Sequence, residues 1–364
     1  MRIFGLLLGL TLIGTILWDT FETIILPRRV TRWFRLTRFF YRTAWKPSAF
    51  FSRTIRNARV REKVLSIFGP LSLFVLLGIW ACVLIIGYAL VFWGSHARLV
   101  AAGEPVTFWT YLYLSGVTFF TLGYGDVSPA LPFGRFLSVV ETANGFGLLA
   151  VVISYLPVLY QSFSKRETSI SLLDARAGSP SSAVELLRRH CSGENLDELK
   201  LLLVEWERWS AELLESHLSY PVLCYFRSQH DNQSWLRALT TLLDTCALVM
   251  VGLKDGPAWQ ARMTFAITRH AVVDIAQVLK RKPSKVDVCS DRLSDSDLAR
   301  VRMILSENGI ELASGNEKRL RELREMYEPY VFALSELLLM PLPPWILPED
   351  AIDNWKTSAW GRIQ

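Results

Sequence analysis

Three apolar runs constrain this chain most: residues 3–26, 71–93 and 135–156, each long enough to cross a bilayer. A spanning helix needs about 20 mostly apolar residues. The first run holds Asp19 and Glu22 and is closed by Pro27 and Arg28-Arg29. A cleaved leader is the alternative there, but no small-residue cleavage site follows, so an uncleaved span is expected. The second run carries no charge and follows Gly69-Pro70, with proline tolerated in a first helical turn. The third carries one acid, Glu141, and meets Pro157, where a kink or an end is expected.

Charge follows the same division. Residues 1–162 hold 15 Lys/Arg against 6 Asp/Glu, whereas residues 163–364 hold 25 against 28. The basic excess thus borders the apolar runs, which favours a membrane surface over nucleic acid as its partner. Residues 28–63 contain 12 basic residues and one acid, Glu62. The positive-inside rule then places residues 28–63 and 163–364 in the cytoplasm and His96 and Asp126 outside. The expected location is the cell membrane, in a multi-pass arrangement. Five scattered cysteines (Cys82, Cys191, Cys224, Cys246, Cys289) form no Cys-x-x-Cys pair and read as buried thiols.

Between the second and third runs lies Thr121-Leu122-Gly123-Tyr124-Gly125-Asp126. A dehydrated K⁺ needs closely stacked oxygen ligands, and backbone carbonyls supply them only if consecutive residues all aim inward. That demands alternating conformations, some with positive φ, which glycine adopts without steric cost. Residues 71–157 therefore resemble the two-helix pore module of tetrameric potassium channels. The resemblance implies an outer helix over 71–93, a pore helix over 107–120, a filter over 121–126 and an inner helix over 135–156. It implies K⁺ at Thr121, Leu122, Gly123 and Tyr124, with Gly125 completing the filter. It also implies gating-hinge glycines at Gly145 and Gly147 and pore lining by Phe146, Leu149 and Ile153. Leu122 replaces the commoner Val or Ile, and Val117 stands where some relatives place a glutamate that pairs with the aspartate after the filter. Asp126 is then expected to pair with Tyr113 or stay solvated. Glu141, an acid inside a span, has two readings: a structural hydrogen bond behind the filter, or a pH-sensitive, ion-attracting carboxylate. One filter per chain implies a homotetramer, because irregular backbone at membrane depth must be protein-buried or pore-lining.

Arg29, Arg32, Arg35 and Arg38 recur every third residue, but a voltage sensor needs counter-charges from several preceding spans. On a helix, Arg35, Arg38, Arg42 and Lys46 share one side and Trp33, Phe34, Phe40, Tyr41 and Trp45 the other. This predicts an interfacial helix with its aromatic face in lipid, and Arg29, Arg32, Arg35, Arg38 and Arg42 on anionic head groups. Asp19 and Glu22 are expected to pair with these arginines.

The expected fold is an all-α membrane protein: an N-terminal span (1–27), a basic segment (28–64), a pore domain (65–162), a linker (163–180) and a helical cytoplasmic domain (181–364). Helices are predicted over 181–192, 195–218, 232–253, 257–281, 294–308 and 315–340, with Asn195 capping the second. The apolar run 239–251 is too short to span and contains Asp244, so a core helix is expected. Residues 217–231, with Arg227 and Trp235, read as a packed loop rather than a ligand pocket, although an unknown cytoplasmic ligand is possible. His190, His217, His230 and His270 lack metal-ligand spacing. No catalytic constellation and no cofactor motif is found, so no enzyme activity is expected. The alternative function is a membrane-anchored sensor that uses the pore module as a scaffold.

Overall fold

The computed structural model describes residues 1–26, 36–101, 105–191, 196–230, 232–284, 291–348 and 351. Two compact units divide the chain: residues 1–48 with 67–160, and residues 49–66 with 161–364. Arg29, Arg32, Arg35, Asn195, Asp231 and Cys289 lie outside the described residues, so the expectations resting on them stay with the sequence.

In the first unit, α1 (Arg2–Thr20) ends in a widened turn, Phe21–Ile25, and α2 spans Leu36–Thr54. The helices α3 (Ala58–Gly94), α4 (Phe108–Phe119) and α5 (Pro132–Ala177) follow. Two three-residue strands, β1 (Leu99–Ala101) and β2 (Val127–Pro129), pair antiparallel, with Leu99 opposite Pro129. Sequence patterning misses strands this short. Among the described residues, α1 with its widened turn, α3, α5 and a later helix are long and apolar enough to cross a membrane.

Glycines seat α1 on α3. A Cβ on Gly9 would meet the Gly87 carbonyl oxygen at 2.5 Å, and one on Gly94 would meet the Leu6 nitrogen at 2.6 Å. Small residues let two apolar helices approach closely where lipid supplies no hydrophobic drive between them. Asp19, buried in α1, accepts bonds from Thr37 Oγ1 (2.6 Å) and Trp80 Nε1 (3.1 Å), and Glu22 accepts from Trp18 Nε1 (2.8 Å). Asp19 thus ties the first span to α2 and α3, whereas the pairing expected with Arg29, Arg32 and Arg35 lies outside the described residues. The aromatic face of α2 departs from expectation. Phe40 and Tyr41 pack on the protein core and Trp45 is buried against Phe68, at 4.8 Å between rings, so protein covers the described part of the face assigned to lipid.

Pro157 does not end the inner helix. α5 continues unbroken to Ala177, so residues 163–177, read as a linker, are helical. The outer helix likewise begins at residue 58 rather than 71.

The second unit is helical: α6 (Ala183–His190), α7 (Asp197–Ser219), α8 (Trp235–Gly252), α9 (Ala258–Val278), α10 (Asp295–Glu307), α11 (Glu317–Glu325) and α12 (Glu328–Leu338). The predicted helix over 315–340 is two helices, broken at Met326-Tyr327 ahead of Pro329, whose ring cannot continue a helix interior. α8 is buried at every residue from Trp235 to Val249, which makes it a core helix despite its hydropathy. Ser234 and Ser294 cap α8 and α10 through Arg237 N (3.1 Å) and Asp297 N (3.1 Å). The tail docks back on this unit: Trp345 is buried and its carbonyl accepts from Ser182 Oγ (2.8 Å).

His217 is fully buried on α7, and burial with the neighbouring Arg166 charge pushes its pKa from 6.5 down to about 3. The unfolded chain therefore binds a proton between these values that the folded chain refuses. Stability from this group is complete above pH 6.5 and falls as pH drops toward 3, by about 1.4 kcal/mol per pH unit within the window. His217→Gln is expected to flatten that slope in denaturation curves measured from pH 4 to 7.

Candidate functional site

Thr107, in extended conformation, starts α4 with a capping box: its side chain meets the third-residue amide, and Thr110 Oγ1 accepts from Thr107 N (3.0 Å). At the other end Phe120 N and Leu122 N bond back to Gly116 O (3.1 Å) and Val117 O (2.8 Å), so the helix unwinds directly into residues 121–126. There the backbone alternates: φ is +57° at Thr121, +63° at Gly123 and +78° at Gly125, while Leu122 and Tyr124 are not among the positive-φ residues. Left-handed backbone costs a glycine little, but it makes a β-branched threonine an outlier. Alternation of this kind turns successive carbonyls toward one side of an extended strand.

Side chains brace this strand from both flanks. Tyr113 Oη donates to Asp126 Oδ2 (2.8 Å), one of the two arrangements expected for Asp126. β1 and β2 tie the segment after residue 126 to the end of α3, and Tyr111 Oη donates to Ala97 O (3.0 Å). Behind the strand Glu141 is fully buried on α5 and hydrogen-bonds to Ser115 of α4, whose hydroxyl also reaches Ile85 O of α3 (2.8 Å). Ser115 therefore links Glu141 of α5 to α4 and α3. Asn144 bonds to the Tyr88 hydroxyl, and Thr142 Oγ1 donates to Thr118 O (3.3 Å). Ser115, Tyr88, Asn144 and Thr142 were not singled out from the sequence. Their signal is a polar group within an otherwise apolar helix, where a partner must be found.

Gly145 lies where a Cβ would be 2.3 Å from the Phe119 carbonyl oxygen, so α5 can cross the end of the pore helix only with glycine at that position. Gly147 meets nothing within 4 Å, and both sit inside the continuous α5. Phe146, Leu149 and Ile153 are all exposed on this chain, as are Leu122 and Tyr124. Glu141→Ala is expected to lower stability by about 1–3 kcal/mol, because it removes the buried hydrogen bond to Ser115 and opens a void. Glu141→Gln, which keeps a hydrogen-bonding amide, should cost much less; thermal denaturation in detergent compares the two.

Residues 73–161 match the family model described as "Ion channel". Among curated proteins the chain is 26% identical over 196 residues to the uncharacterized membrane protein YdjJ of Bacillus subtilis, covering 53% of this chain and 56% of that one. It is 38% identical over 60 residues to the probable potassium channel protein 2 of Methanocaldococcus jannaschii, covering 16% and 18% respectively. The chain thus spans little more than half the length of the first of these relatives and less than a fifth of the second. No solved structure gives a significant match. Residues 73–161, which take in most of α3, all of α4 and the first part of α5, thus match an ion channel domain of the two-helix type.

Proposed function

We propose that this chain is one subunit of a homotetrameric, potassium-selective channel that passes K⁺ down its gradient. The observation that carries the reading is the alternation of positive φ at Thr121, Gly123 and Gly125, on a strand between two membrane-length helices. Carbonyls aligned this way replace the hydration shell of a K⁺, with the Thr121 hydroxyl at the inner end. Tyr113, Asp126 and Glu141 support the strand, Gly145 and Gly147 serve as gating hinges of the inner helix, and Phe146, Leu149 and Ile153 line the passage below. Exposed Leu122, Tyr124, Phe136, Phe146, Leu149 and Ile153 support the tetramer, since neighbouring copies would cover or share that face. Arg38 and Arg42 remain candidates for anionic head groups, together with Arg29, Arg32 and Arg35. On this reading the protein conducts rather than catalyses and holds no cofactor.

Two measurements test the proposal. The mass of the detergent-solubilised protein should be four times the 41.5 kDa of the chain. Reconstituted vesicles should take up Rb⁺, and Gly123→Asp should abolish the uptake. A monomeric particle, or uptake unaffected by Gly123→Asp, would refute it.

A further inference from the structure

The lower ends of both pore helices belong to the helical unit, residues 49–66 from the α3 side and residues 161–177 of α5. Within that unit the two extensions meet one short block of chain, residues 217–237. From α5, Arg166 is almost fully buried and donates to Leu223 O (3.0 Å) and Phe226 O (3.0 Å), at the end of a 3₁₀ turn, Pro221–Tyr225. It pairs with Glu167 (2.9 Å), which accepts from Ser228 Oγ (3.2 Å), and it stacks on Phe163, whose ring packs on Phe226 at 5.5 Å. From α3, Glu62 pairs with the buried Arg227 (3.6 Å), which also donates to the last carbonyls of α12, Leu338 O and Leu339 O. The charges of Glu62 on α3 and of Asp174 on α5 both act on Arg237, buried in the first turn of α8.

We infer that residues 217–237 couple the two pore helices, and that Glu62, Arg166 and Arg227 are positioning residues through which the helical unit sets whether the pore is open. This rests on the channel reading above. A passage between α5 helices widens only if α5 moves relative to α3, and both extensions are fastened to the same block. Each helix also carries one proline four residues from the unit boundary, Pro70 in α3 and Pro157 in α5. A proline lacks the backbone N–H that closes a helical turn, so these are the points of easiest bending. Buried arginine bonds to carbonyls are costly to break singly, which makes the block move as one piece.

The test uses the full chain in nanodiscs and in planar bilayers, with Glu62→Gln and Arg166→Gln. Glu62 is 40% exposed, so Glu62→Gln does not threaten folding. Loosening α3 at Glu62 is expected to raise amide hydrogen exchange at least fivefold in residues 221–228 and also in residues 161–170 on the other helix. In recordings, both variants shift open probability at least threefold in the same direction, while unitary conductance and ion selectivity stay unchanged. Exchange that rises only next to residue 62, or open probability equal to that of the unsubstituted channel, overturns the inference. If the unsubstituted protein carries no current, the channel reading fails, and the exchange data alone still decide whether the two extensions are coupled.

Discussion

Gly123→Ala is expected to cut K⁺ or Rb⁺ flux at least a hundredfold without unfolding the protein. Gly123 sits at φ +63°, and a Cβ built there meets no atom of its own chain within 4 Å. The effect therefore comes from the backbone. Left-handed conformation costs an L-residue about 1–2 kcal/mol, so in the proposed tetramer the four copies together lose about 4–8 kcal/mol. Tenfold per 1.4 kcal/mol then removes the conducting conformation almost completely. Gly14→Ala is the matched control, since Gly14 lies within α1 with ordinary φ and open space around its Cβ position. Its flux should be unchanged. Near-normal flux through Gly123→Ala would mean that this backbone alternation is not what ions pass.

The second large effect lies in the helical unit. Asp244, fully buried on α8, accepts from Arg292 Nη2 (2.6 Å) and Tyr327 Oη (2.5 Å). Arg292 also donates to Pro343 O (2.9 Å), and its guanidinium lies 5.7 Å from the centre of the Trp345 ring. Burial alone would lower the Arg292 pKa, but the Asp244 carboxylate holds it above the ordinary guanidinium value. Arg292→Ala leaves Asp244 buried without its countercharge and is expected to cost about 3–5 kcal/mol. The melting temperature of the helical unit should fall by on the order of 10 °C. Removing both charges, as Asp244→Leu with Arg292→Met, should cost less than Arg292→Ala alone. Equal stability of Arg292→Ala and the unsubstituted chain would contradict the packing described for α8.

Much of the candidate site was legible because its requirements are local. Positive φ at Gly123 and Gly125 follows from what glycine alone tolerates, and the Tyr113–Asp126 bond from which polar groups the loop offers. The same reasoning could not see Thr121, because a threonine in that region violates its own preference and only the surrounding strand holds it there. Gly145 was read through resemblance as a hinge, and its close approach to the Phe119 carbonyl adds a packing role that only tertiary contact reveals. Asp19 was assigned to arginines because charge was the visible signal. Trp80, 61 residues away in sequence, supplies a neutral donor that no charge pattern announces. The helical unit was foreseeable as helices but not as a coupler. Arg166 looked like linker composition, and its acceptors are backbone carbonyls of residues 223 and 226, which no side-chain pattern announces.

Selectivity for K⁺ over Na⁺ is read from the reversal potential. The protein reconstituted in a planar bilayer with K⁺ on one side and Na⁺ on the other should reverse close to the K⁺ equilibrium potential. Replacing K⁺ by Rb⁺ should move that value only slightly. A reversal potential near zero would show that Na⁺ passes as readily as K⁺ and would contradict the account.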